Sequence, residues 1–194
     1  GSKARDIISV KSIRNAVKVC SAAGGSTNAV LHLLAIAYES ETQFDIFELG
    51  DVSKTVPHLV PLIPAGTYTL LDFYEAGGVP ALMKEIASEL ETDAMTVEGQ
   101  TVAERLEKAI NLNKDVIRST KNAVQAFGGT GILKGNIAPE GAVTKPSAIP
   151  SEAWVFTGPA RIYETEADSL QGIRNGEVNP GDVIVIRNAG PKGG

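Results

Sequence analysis

The sequence predicts a mixed α/β fold, with helices and strands segregated along this stretch in the α+β manner, and three observations carry that prediction. Up to about residue 112, apolar residues recur at helical spacing. From residue 128 onward, short apolar runs are cut by proline and glycine, which is the punctuation of strands and turns. Between them, residues 113–125 are polar and without a sustained period, which predicts a linker or a weak helix between two domains.

Taken in order, Val10, Ile13, Val17 and Cys20 form one helical stripe, with Ser9 placed to cap its start. Gly24-Gly25-Ser26-Thr27-Asn28 follows, and then the segment Ala29–Ala37, apolar all round, which predicts a helix buried on every side. Phe44, Phe47, Leu49 and Val52 predict a short helix, weakened by Gly50. Pro57, Pro61 and Pro64 forbid regular helix across 56–66, so that segment is expected to run extended over the surface. Leu70–Ala76 is helical and stops at Gly77-Gly78. Pro80 suits the first turn of the next helix, whose buried stripe is Leu82, Met83, Ile86 and Leu90. Thr101-Val102-Ala103-Glu104 is a capping box opening a helix through Ile110.

Beyond the linker, strands are expected at 131–136, 142–145, 154–156 and 161–163, and a short helix from Thr165 to about Asn175-Gly176. Asn179-Pro180-Gly181-Asp182 has the proline and glycine of a type II turn and leads into the strand Val183–Ile186.

Composition limits the function classes. At 194 residues, with 43% hydrophobic and 21% charged, the chain has the make-up of a soluble globular protein. A net charge of −5 argues against nucleic acid as partner, since phosphate backbones attract clustered Lys and Arg. No apolar run approaches the roughly 20 residues of a membrane span. The single cysteine, Cys20, excludes an internal disulfide and any cluster held by cysteines of this chain alone. It sits on an apolar face and is expected to be a small buried hydrophobe. The setting expected is a reducing cytoplasm, or an organelle matrix in a eukaryote. Gly1-Ser2 reads as a cloning remnant.

Two readings of Gly24–Asn28 stand side by side. A glycine pair turns the backbone sharply, and the helix that follows presents free N–H groups and the positive end of its dipole, which suits an anionic ligand. The same residues are also an ordinary helix connection, with one helix stopped by glycine and the next capped. His32 is expected to be a buried histidine sharing one hydrogen bond rather than a catalytic one. His58 has no partner at a metal-ligand spacing. Glu140, between Pro139 and Gly141, is expected to be solvated. Phe127-Gly128-Gly129-Thr130-Gly131 lacks the Lys-Ser/Thr ending of a phosphate loop and is expected to open a strand.

Four stretches in this order say more than any one alone: Gly24-Gly25-Ser26-Thr27-Asn28-Ala29-Val30-Leu31-His32-Leu33; Gly135-Asn136-Ile137-Ala138-Pro139-Glu140-Gly141-Ala142-Val143; Thr157-Gly158-Pro159-Ala160-Arg161; and Pro180–Arg187 running into Gly190-Pro191-Lys192-Gly193-Gly194. From about Ile7 to the last residue the chain resembles the dihydroxy-acid dehydratase and phosphogluconate dehydratase family. Ala29, where phosphogluconate dehydratases usually place histidine, makes it more similar to the dihydroxy-acid branch.

The resemblance implies a hydro-lyase that converts a 2,3-dihydroxy carboxylic acid to a 2-keto acid in branched-chain amino-acid biosynthesis. It implies an iron–sulfur cluster acting as Lewis acid on the departing hydroxyl, and Mg2+ holding the substrate carboxylate. It also implies a homodimer. Residues 1–112 would then be the helical end of the cluster-carrying, three-layer α/β domain, 113–127 a linker, and 128–194 the start of a β-rich, barrel-like swivelling domain. In the family the metal ligands and the serine base lie outside the matching stretch, so the resemblance implies an internal piece without catalytic or metal-binding residues of its own. Gly24, Gly25, Ser26, Thr27, Asn28 and Lys192 are the candidate substrate contacts. Two alternatives stay open: a sugar-acid dehydratase of the same family, and a non-catalytic swivelling or ligand-binding module.

Overall fold

The structure, a computed structural model, describes residues 3–190. It is a mixed α/β chain in two compact units, one running through Ile149 and the other starting at Pro150.

In the first unit, a single turn of helix, α1 (Ala4–Ile7), precedes α2 (Val10–Ala22). The Ser9 side chain accepts the Ser12 N–H, and the Ser12 side chain in turn accepts the Ser9 N–H. Next come α3 (Thr27–Glu39) and α4 (Ile46–Ser53); Asp45 caps α4 by accepting from the N–H groups of Phe47 and Glu48. Then α5 (Leu70–Glu75) starts at a capping box between Thr69 and Asp72, and stops where Gly77 turns left-handed. After it, α6 (Gly78–Glu85) carries Pro80 in its first turn, where a missing N–H costs nothing, and α7 (Val102–Leu106) opens on the predicted Thr101–Glu104 box but ends before Ile110. The hairpin of β1 (Gly131–Leu133) and β2 (Ala142–Thr144) is antiparallel, with Ile132 opposite Val143.

Two apolar clusters hold this unit together. The larger joins Leu59, Val60, Phe73, Leu82, Ile86, Leu90, Val116 and Ile117. The smaller joins Val17 of α2, Val30 of α3 and Leu49 of α4, with Ile132 and Val143 of the hairpin closing over it. Gly50 is the point at which the hairpin reaches α4, since a Cβ there would stand 2.9 Å from the Ile132 side chain. Arg14 on α2 binds Glu48 on α4 at 2.7 Å through Nη2.

Several expectations are corrected. The segment 56–66 runs over the surface only in its second half: Val56, His58, Leu59 and Val60 are buried, whereas Ile63, Pro64 and Ala65 are exposed. The N–H of Leu59 donates to the Ala22 carbonyl and its own carbonyl accepts from Arg118, so backbone pairing carries the strip through the core. Within residues 113–127, Val116 and Ile117 lie in the larger core and His58 pairs with Gln125 across an antiparallel bridge, while residues 113–115 and Thr120–Asn122 are exposed. The α3 helix is not covered on all sides. Its Val30–Ala37 face is buried, whereas Leu31, Ile36 and Tyr38 are exposed, because the described segments pack against one face only.

In the second unit, β3 (Ala160–Tyr163), α8 (Glu166–Arg174) and β4 (Val183–Ile186) form a βαβ crossover, and the strands run parallel with Tyr163 opposite Ile186. Gly172 lets α8 lie flat on the Tyr163 ring, where any Cβ would overlap the phenol. The predicted Asn179–Asp182 turn forms: the Asp182 N–H donates to the Asn179 carbonyl at 3.0 Å, and the Asp182 carboxylate binds Arg161 at 2.8 Å. Trp154–Phe156, expected as a strand, follows a 3-10 turn (Ser151–Ala153) with irregular backbone, in a run confined between Pro150 and Pro159.

Candidate functional site

The Gly24–Asn28 turn is built from the inside outward. Gly24 and Gly25 have φ of +103° and +70°, which a side chain would strain. Their N–H groups are spent internally: Gly24 donates to the Ser21 carbonyl at 3.2 Å and Gly25 to the Cys20 carbonyl at 2.8 Å, ending α2. Ser26 occupies the N-cap position of α3, yet its side chain makes no capping bond. The N–H groups of Thr27 and Asn28, in the first turn, have no acceptor within the helix. Ser26, Thr27 and Asn28 are exposed. Of the five predicted contacts, the two glycines therefore shape the turn from within and the other three face outward, at the positive end of a 13-residue helix.

The wall behind the turn was not foreseen. A Cβ on Gly24 would stand 2.7 Å from Nε2 of His58, and one on Gly25 would stand 2.8 Å from the Gly129 carbonyl. Gly129 meets the Gly24 carbonyl so closely that it too can carry no side chain, and its N–H donates to the Ser21 carbonyl at 2.9 Å. Two glycine pairs, 24–25 and 128–129, thus interlock. Beneath them, Ser21 Oγ donates to Ser53 Oγ at 2.9 Å, and Ser53 Oγ donates to the Thr130 carbonyl at 2.7 Å, all buried. The void under the turn, lined by Cys20, Ser26, Ala29, Leu33 and Thr130 among others, is about 10 Å3, too small for a substrate. Any ligand meets this turn from its outer side. The signals that could have revealed the wall were the second glycine pair and a histidine leading into the apolar run Leu59-Val60.

His58 is buried among backbone. Its Nε2 lies 2.8 Å from the Val60 carbonyl, so Nε2 carries the proton, since a carbonyl can only accept. Nδ1 is buried with no hydrogen-bond partner, as is Oε1 of Gln125, the residue opposite it. Burial, with a smaller push from Lys145 and Arg118, holds the imidazole below its ordinary value against the opposing effect of the Val60 carbonyl. His32, expected to be buried, is exposed on α3. Glu140 is exposed at its turn, and Gly131 opens β1 as expected for the Phe127–Gly131 run. Cys20 is half buried, and burial pushes its thiol up, away from the thiolate form. Lys192 lies outside the described residues.

The family model described as dihydroxy-acid/6-phosphogluconate dehydratase N-terminal matches residues 1–105, and its C-terminal counterpart matches residues 115–194. The chain belongs to this dehydratase family. The dihydroxy-acid dehydratase of Agathobacter rectalis is 48% identical over 196 residues, covering 100% of this chain and 35% of the relative. That of Ignicoccus hospitalis is 45% identical over 190 residues, covering 97% and 34%, and that of Carboxydothermus hydrogenoformans 46% over 192 residues, covering 98% and 35%. The chain thus spans about a third of the length of the curated relatives it matches. Within it, the C-terminal family region begins at 115, but residues up to Ile149 pack in the same compact unit as the N-terminal family region.

The resemblance to this dehydratase family implies a cluster and Mg2+, and the donors present do not fit them. Among the described residues no three His, Cys, Asp or Glu side chains converge. A cluster calls for several thiolates, and the chain has one cysteine, whose thiol is disfavoured from ionising. No step of the chemistry is therefore assigned to a metal held by these residues. Nor is any helix among the described residues long and apolar enough to cross a membrane.

Proposed function

We propose that the protein to which this stretch belongs is a hydro-lyase that takes a branched 2,3-dihydroxy carboxylic acid to its 2-keto acid, in branched-chain amino-acid biosynthesis. The observation that carries this reading is 45 to 48% identity to proteins named dihydroxy-acid dehydratase, across essentially the whole chain. Ala29 supports the dihydroxy-acid branch over phosphogluconate dehydratase. In the net reaction the C3–O and C2–H bonds break, water leaves, and the resulting enol takes a proton at C3 to become the keto acid.

Within that protein this chain supplies frame and one binding element. Ser26, Thr27 and Asn28, with the free N–H groups of the first turn of α3, face outward and suit the carboxylate of the substrate. Gly24 and Gly25 hold that turn open, and Lys192 is the remaining candidate contact. An iron–sulfur cluster and Mg2+ belong to the reading through the family resemblance, with their ligands supplied by other segments. So do a homodimer, a cytoplasmic or organelle-matrix location, and a domain division near 113–127 with a barrel-like swivelling domain beyond it. The parallel β3–α8–β4 unit supports that last point only as strand-bearing structure within residues 128–194.

The test is keto-acid formation by the full-length protein, with a branched 2,3-dihydroxy acid set against a sugar acid. Turnover of the former supports the reading. Preference for the sugar acid transfers it to the other branch, and no dehydration of either overturns it.

A further inference from the structure

We propose that His58 is a positioning residue for the Gly24–Asn28 turn, its imidazole forming the side-chain wall on the Gly24 side of the turn. The proposal rests on the reading of that turn as a substrate contact, which gives the positioning its functional meaning.

The turn has three supports. One is the end of α2, through the Ser21 and Cys20 carbonyls; another is the backbone of Gly129 with the Thr130 hydroxyl, which faces Gly25. The end of α2 and Gly129 act through peptide groups, the same in any sequence that folds this way, whereas Thr130 acts through its side chain. The third is the His58 ring, 4% exposed, with the Gly24 Cα against its Nε2 edge. The ring cannot drift, because Nε2–H is committed to the Val60 carbonyl at 2.8 Å. The residue itself cannot drift either. Its N–H donates to the Gln125 carbonyl at 3.0 Å and its carbonyl accepts from Val124 at 2.8 Å.

One residue therefore ties three segments into one piece: the strip 56–62, the stretch 123–131 that carries the second glycine pair, and the turn itself. The two unpartnered acceptors, His58 Nδ1 and Gln125 Oε1, lie on opposed residues of the same bridge, so the ring is held through Nε2 alone. A residue that fills the space and still donates to Val60 should keep the turn in place. One that does neither should release it, even though the glycines and α3 are unchanged.

The experiment is amide hydrogen exchange by NMR on the 194-residue chain and its H58A, H58F and H58Q variants. Local reporters are the amides of Gly25 and Gly129, bonded to Cys20 and Ser21; remote ones are those of Val102 and Ala103, bonded to Ala94 and Thr92. Expected is exchange faster by about tenfold or more at Gly25 and Gly129 in H58A, with the remote amides little changed. H58F, which fills the space without the donor, should fall between, and H58Q, which restores a donor, should return to wild-type rates. Uniform acceleration at all four amides would overturn the proposal by showing only global destabilisation, as would unchanged turn amides in H58A or no rescue by H58Q. Exchange is read without substrate, so failure here is separate from failure of the dehydratase reading, which the keto-acid assay decides.

Discussion

Gly129 is the residue at which the interlocked turns tolerate least. An alanine Cβ would enter the Gly24 carbonyl, a backbone group that cannot swing aside. G129A is expected to lose about 2 kcal/mol or more in chemical denaturation, from overpacking against fixed backbone. G176A, at a helix end with open space around it, should lose only the smaller cost of a left-handed alanine. His58 gives a pH dependence of known direction. Its imidazole is held below the ordinary value first by burial, then by Lys145 and Arg118, so the unfolded chain takes up the proton at a higher pH than the folded one. Its contribution is complete above about 6.5 and is lost as pH falls. Unfolding midpoints between pH 7 and 5.5 should therefore decline more steeply in the wild type than in H58Q. None of this could be read from His58 in the sequence. Spacing told against a metal ligand, but the ring matters through a contact with Gly24, 34 positions away, that no local pattern encodes.

Caps separate what was legible from what was not among the elements. Thr101-x-x-Glu104 and Ser9 were readable because capping is a contact over three residues, and the structure forms both. Ser26 has the right residue type in the right place and yet makes no capping bond. The expected outcome is a contrast: T101A should cost about 1 kcal/mol, and S26A within about 0.5 kcal/mol of nothing, in the same denaturation assay. Equal losses would mean that Ser26 caps α3 after all. The burial of Leu59, Val60, Val116 and Ile117 was not legible, for one reason. Proline content and polarity report what a segment cannot do alone, whereas their burial comes from pairing with each other, His58 with Gln125 and Leu59 with Arg118. The parallel pairing of β3 and β4 was likewise beyond a reading that saw only their turns.

At the scale of the whole molecule, apolar surface and family coverage point the same way. Leu31, Ile36 and Tyr38 on α3 and Leu70, Leu71 and Tyr74 on α5 are exposed, more than a self-sufficient monomer usually leaves in such runs. Sedimentation of the isolated chain should show concentration-dependent association, reduced by L31E/I36E; a clean monomer at all concentrations would contradict this. The family itself was legible from four ordered motifs, since a motif is carried by its own residues, whereas the packing around α3 depends on segments distant in sequence. On the proposed reading, these residues carry the frame and a substrate-facing turn, and the metals are held elsewhere. The most direct measurement is iron and sulfide content after anaerobic reconstitution of the purified chain. One cysteine predicts far less than one cluster per chain, with no cluster absorbance; stoichiometric iron and sulfide retained by this chain alone would contradict it.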